Sequence, residues 1–164
     1  RNRGGARDGR PCRPLRRDGI PIPLLEILAD ETSLFIMCVF RREVVEAVGG
    51  FDPAFLTNEE YEMWIRAAIA GFTFTRHTRP LGWYCCGRAD SLSASDTRML
   101  GGILRVLART RPLLAADSPE RAVLDRQVER FEAELRAAER RQRLLSSPSI
   151  AKAYALVTGT AHAR

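Results

Sequence analysis

Glu59 and Glu60 are adjacent acids that follow a Gly49-Gly50 pair and open an amphipathic segment, all within residues 41–74, RREVVEAVGGFDPAFLTNEEYEMWIRAAIAGFTF. A carboxylate held on a rigid element and facing a substrate hydroxyl can take the proton as that oxygen attacks, which is general-base chemistry. Acids in a first helical turn also pair with the helix dipole, so adjacency alone does not separate catalysis from capping. The two acids are not equivalent. At about 100° per residue Glu59 points away from the apolar stripe of its helix, whereas Glu60 lies about 40° from Trp64, on the border of that stripe.

The elements that must position these acids are legible as patterns. Asn58 suits an N-cap and Gly71 a stop, while Tyr61, Trp64, Ile65, Ala68 and Ile69 recur at three and four, which predicts a helix from Glu59. Glu62 and Arg66 fall at i,i+4 and should pair on its wet side. Residues 41–48 show helical spacing at Val44, Val45 and Val48, with Gly49 as the stop. Upstream, Pro21 and Pro23 break an apolar run into an extended lead before a short helix near residues 24–29, and LFIMCVF (34–40) predicts a buried, central strand. Downstream, residues 72–76 alternate as a strand and residues 80–84 form a second candidate. Asp96 can cap a helix reaching about Ala108. Asp117, Ser118 and Pro119 then open a charged helix, broken near Pro148, whose seam of Leu124, Val128, Phe131, Leu135 and Ala138 suits packing on the domain or on a partner.

A chain of 164 residues holds one domain with a real core, or a smaller domain plus a helical extension. The net charge of +6 is carried by residues 1–17, which hold seven Arg and one Asp, leaving the rest neutral overall. That Gly- and Pro-containing tail is nearly free of apolar residues and cannot fold alone. None of the four cysteines, Cys12, Cys38, Cys85 and Cys86, forms a CxxC pair, which fits a reduced, cytosolic setting better than a disulfide framework or a zinc site. The longest apolar run, 34–40, is too short to cross a bilayer, and no signal-peptide pattern is present.

In order and spacing, FRREVVEAVGGFDP, NEEYEMWIRAAIAGF, PLGWY and DSLSASDTRML resemble the C-terminal half of the catalytic domain of a family 2 glycosyltransferase, the GT-A type of nucleotide-sugar transferase. The likeness covers about residues 32–107 and implies an α/β, Rossmann-like GT-A remnant: a tail at 1–19, an acceptor-side part at 20–110 and a helical extension at 111–164. It implies transfer of a sugar from a nucleotide diphosphate donor to an acceptor hydroxyl with inversion, Glu60 being the general base and Glu59 its companion. Gly49, Gly50, Phe51, Asp52 and Trp64 would line the acceptor side, and Arg88 would face the donor diphosphate.

Several residues depart from that family's pattern. Glu60 stands where the family has Asp, one methylene longer, and Tyr84 is followed by Cys85, Cys86 and Gly87 before Arg88. The resemblance implies a divalent cation, Mg or Mn, yet no DxD occurs in the sequence. The donor half that should precede LFIMCVF is missing and the first residue is Arg, so the expectation is a piece of a larger transferase, inactive alone and cytoplasmic or peripheral to a membrane. Two other classes compete: an interaction module acting through the C-terminal helix, and nucleic-acid binding through the Arg-rich tail.

Overall fold

The computed structural model describes residues 19–34, 38–76 and 95–147. In chain order they form β1 (Pro21–Ile22), α1 (Leu24–Ala29), α2 (Arg42–Val48), α3 (Glu59–Ile69), β2 (Phe74–Thr75), α4 (Asp96–Thr110), a 3-10 turn (Arg111–Leu113) and α5 (Pro119–Ser146). Helices dominate, and the two strands pair antiparallel with Pro21 opposite Thr75 and Ile22 opposite Phe74. This fits a mixed α/β class in its coarse form. The expected central strand is not supported by its described flanks: Leu34 lies in a bend, residues 38–40 have no regular structure and Val39 is fully exposed, while residues 35–37 lie outside the described residues. The strand at 72–76 shrinks to two residues, and the candidate strand at 80–84 also lies outside the described residues.

One core joins all five helices, α2 entering it through Val44. Ile27 and Leu28 of α1, Met63, Trp64 and Ile65 of α3, Val106 and Leu107 of α4, and Leu124 and Phe131 of α5 are all fully buried in it. The α3 stripe is wider than its sequence spacing implies, because Met63 and Ala67 are buried too, whereas Ile69 faces solvent. The helix is enclosed on most sides and so shows no clean amphipathic division.

The last two long helices form an antiparallel hairpin, with the 3-10 turn between them. Ser118 caps α5 by accepting from the Arg121 N–H at 3.1 Å, and Pro119 occupies the first turn, where a missing N–H costs nothing. Arg111 pairs with Asp125 at 2.8 Å near the turn, and Arg141 with Asp96 at 2.5 Å at the far end. The α5 seam packs on α1 and α4, and Gln127 closes the C-terminal end of α1 by donating to the Ala29 carbonyl at 3.1 Å.

Two caps differ from expectation. Ser95, not Asp96, caps α4, and Asp96 becomes its first helical residue. Asn58 precedes α3 in the left-handed region at φ +60°, where its side chain does not cap; it donates instead to the Met99 carbonyl of α4 at 3.1 Å. An N-cap needs extended backbone, and Asn tolerates the left-handed turn that replaces it here.

Gly102 is where α4 meets this turn. A Cβ there would stand 2.3 Å from Thr57 Oγ1 and 2.4 Å from Asn58 Nδ2, whereas one on Gly101 would meet nothing within 4 Å. Gly102→Ala should therefore destabilise the fold by about 1–3 kcal/mol through overpacking. Gly101→Ala should stabilise it by up to about 1 kcal/mol through helix propensity. Urea unfolding of the two variants beside the parent chain reads the opposite signs; equal effects would mean that the helices do not approach as closely as described.

Candidate active site

The Gly49-Gly50 turn is a consequence of backbone geometry. Gly49 ends α2 at φ +78° with its N–H on the Val45 carbonyl at 2.8 Å, and Gly50 follows at φ +73°. Two successive left-handed residues strongly favour glycine, and they swing the chain from α2 toward α3.

Arg66 fastens the turn to α3. Its guanidinium donates to the Val48 carbonyl, to the Gly50 carbonyl at 2.6 Å, and to both carboxylate oxygens of Glu62 at 2.8 and 2.7 Å. The Glu62–Arg66 pair forms as the i,i+4 spacing implies, but not in water, since Glu62 is 2% exposed. A carboxylate can stay buried only when paired and hydrogen-bonded, and the fork geometry of Arg supplies both conditions. Arg109 of α4 approaches the same carboxylate at 3.7 Å and pairs with Asp52 at 2.9 Å, so one ionic chain runs from the end of α2 through α3 to α4.

Of the residues expected to line the acceptor side, Asp52 is occupied locally. One oxygen accepts from the Ala54 N–H at 2.9 Å and the other meets Arg109, which holds the 52–55 turn. Trp64 is 1% exposed and so supports the surface from beneath. Phe40, Phe51 and Phe74 stand edge-on around its indole at 5.4, 6.3 and 5.9 Å between ring centroids. Phe40 and Phe51 reach solvent, so these are the aromatic edges that a ligand would meet. Gly49 and Gly50 carry the turn beside them. Arg88 lies outside the described residues, as do His77, Cys85, Cys86 and the Arg-rich tail.

Glu59 and Glu60 are the first two residues of α3, both half-buried. Glu60 precedes Trp64 by one turn and therefore borders the same side chain that carries Phe40 and Phe51. Burial raises the Glu60 carboxyl above its ordinary value; a hydrogen bond from its own backbone opposes this, and the neighbouring Glu59 adds to the rise. A carboxyl raised in this way is a stronger base than a free surface carboxylate, the property that proton abstraction needs. Among the described residues no group of three or more His, Cys, Asp and Glu could hold a metal ion, so the ligand set that the resemblance implies is not found there.

Compared with protein-family models, curated proteins and solved structures, the chain matches none. The tertiary structure also supplies partners that spacing did not reveal: Phe40 against Trp64, Arg66 on the Gly-Gly turn and Arg109 on Asp52. The Pro53 after Asp52 was the one local signal, marking a turn that an Asp side chain commonly closes.

Arg66→Leu leaves Glu62 buried with only the distant Arg109 and frees two carbonyls. It should cost about 3–5 kcal/mol by urea unfolding, and a loss below about 1 kcal/mol would show that the network does not anchor the turn.

A raised folded-state pKa means that the native chain binds the Glu60 proton more tightly than the unfolded chain does. The carboxyl's contribution to stability is therefore greatest below the ordinary value of 4.5 and falls as pH rises through the raised one. Glu60→Gln should raise Tm at neutral pH, with the gain vanishing in acid; a pH-independent difference in thermal melts would contradict the burial of this carboxyl.

Proposed function

We propose that this chain carries the acceptor side of a family 2 glycosyltransferase of the GT-A type, with Glu60 as general base. The acceptor hydroxyl gives its proton to the Glu60 carboxylate as its oxygen attacks the anomeric carbon, and the bond from that carbon to the nucleotide diphosphate breaks. Glu59 sits beside the base and helps to keep its proton affinity high. Gly49, Gly50 and Phe51 form the surface against which the acceptor rests, Asp52 and Trp64 support that surface, and the donor diphosphate is assigned to Arg88 from the resemblance alone.

The observation that carries this reading is the placement of one half-buried carboxyl, its pKa raised by burial, on a rigid helical turn one turn before Trp64 and its aromatic cluster and after a locked glycine turn. General-base catalysis requires a fixed carboxylate poised to accept a proton, and α3 holds Glu60 through a helix enclosed in the core.

The test is donor turnover by the full-length protein that contains this chain, with Mg or Mn present and UDP-, GDP- and dTDP-sugars offered as donors. Release of nucleotide diphosphate should depend on the acceptor, and Glu60→Gln should lower kcat by roughly 10²–10⁴ with little change in KM for the donor. Because this variant is expected to be at least as stable as the parent at neutral pH, lost turnover would not reflect unfolding. Near-normal turnover by Glu60→Gln, or no nucleotide release from any donor, would overturn the assignment.

A further inference from the structure

We propose that the C-terminal end of α5 docks on an anionic lipid surface, with Leu144 and Leu145 entering the headgroup boundary and Arg140 and Arg141 pairing with acidic headgroups. This stands apart from the transfer chemistry and rests on other residues.

The core-facing side of α5 ends at Ala138, yet the helix continues to Ser146. In that overhang Leu144 is 57% and Leu145 is 43% exposed. At about 100° per residue, Leu144 points roughly 120° away from Ala138 and cannot reach the seam that packs on α4, whereas Leu145 lies about 20° from Ala138 and is exposed because it carries that seam one turn past Arg141, which meets Asp96 at the start of α4. Arg140 and Arg141 flank Leu144 at about 40° and 60°. Arg140, Leu144, Arg141 and Leu145 thus alternate across one sector of about 140°, and exposed leucines interleaved with guanidinium groups on one sector are what an interfacial helix presents to lipid.

Charge selects the kind of surface. From Arg140 to Arg164 the chain contains Arg140, Arg141, Arg143, Lys152 and Arg164 and no Asp or Glu. The ion pair of Arg141 with Asp96 joins side chains that are both largely exposed, so exchanging it for a lipid headgroup costs little. A nucleic-acid backbone would satisfy the arginines but leave the leucines without a partner, whereas a bilayer boundary satisfies both. No helix among the described residues is long and apolar enough to cross a membrane, so the contact is with the surface.

The test is sedimentation of the whole 164-residue chain with phosphatidylcholine vesicles, either neutral or containing about 30% phosphatidylserine. The chain should sediment with the acidic vesicles only. Leu144→Ser with Leu145→Ser should weaken this binding by about tenfold, through lost apolar burial. Arg140→Gln with Arg141→Gln should weaken it by about 30-fold. All four side chains are exposed, so circular dichroism should show the helical content retained in both variants. Equal binding to neutral vesicles, unchanged binding by the leucine variant, binding lost only when residues 1–17 are removed, or displacement of the chain from vesicles by an oligonucleotide would each overturn the proposal.

Discussion

The pairing of buried Glu62 with half-buried Arg66 is the constraint around which the candidate site is organised. Alone, the Glu62 charge would be expelled from the core; the half-buried Arg66 pairs with it and, with the Val48 and Gly50 carbonyls as further acceptors, completes a closed set of hydrogen bonds. The Gly-Gly turn has no side chains with which to hold itself, so Arg66 supplies from α3 what the turn lacks. Arg109 extends the same network to α4 and the Asp52 turn. Three separate segments thereby keep one relative placement.

On the neighbouring side of α3 the same placement is held by apolar contact. Trp64 fills the space between the strand Phe74 and the loop residues Phe40 and Phe51, each meeting it edge-on as the ring quadrupoles favour. Its indole N–H is buried without a hydrogen-bond partner among the described residues, as are the Tyr61 hydroxyl, the Thr57 hydroxyl and the Ser33 hydroxyl. Burial, with Glu31 and Asp30 nearby, pushes the Tyr61 phenol up, so it remains neutral in the core. Helix α3 thus combines a tightly satisfied ionic side with an aromatic side that leaves some polar groups unpaired.

Helices α4 and α5 close the core from below and set how near α3 can come. The absence of a side chain at Gly102 lets the Thr57–Asn58 turn press onto α4, and the Asn58 amide then bonds to Met99 rather than capping its own helix. Helix α5 contributes Leu124 and Phe131 to the common core and then runs past it, so a single helix both stabilises the domain and offers an unburied end.

Local chemistry determined much of this molecule from the sequence alone. The spans of α1, α2 and α3, the left-handed glycines at 49, 50 and 71, the Ser118-Pro119 start of α5 and the Glu62–Arg66 pairing all follow from residues within a turn or two of one another. Such signals are short-ranged: a glycine stop or an i,i+4 pair needs nothing from the rest of the chain. What lies between distant segments was decided only by tertiary packing. It put Glu62 in the core instead of in water, turned Asn58 from a cap into a tie, left the described flanks of the LFIMCVF run outside any strand and made Trp64 a support beneath Phe40 and Phe51. In each case the deciding quantity was burial by a neighbour far away in sequence, and periodicity along one helix carries no record of which neighbour that will be.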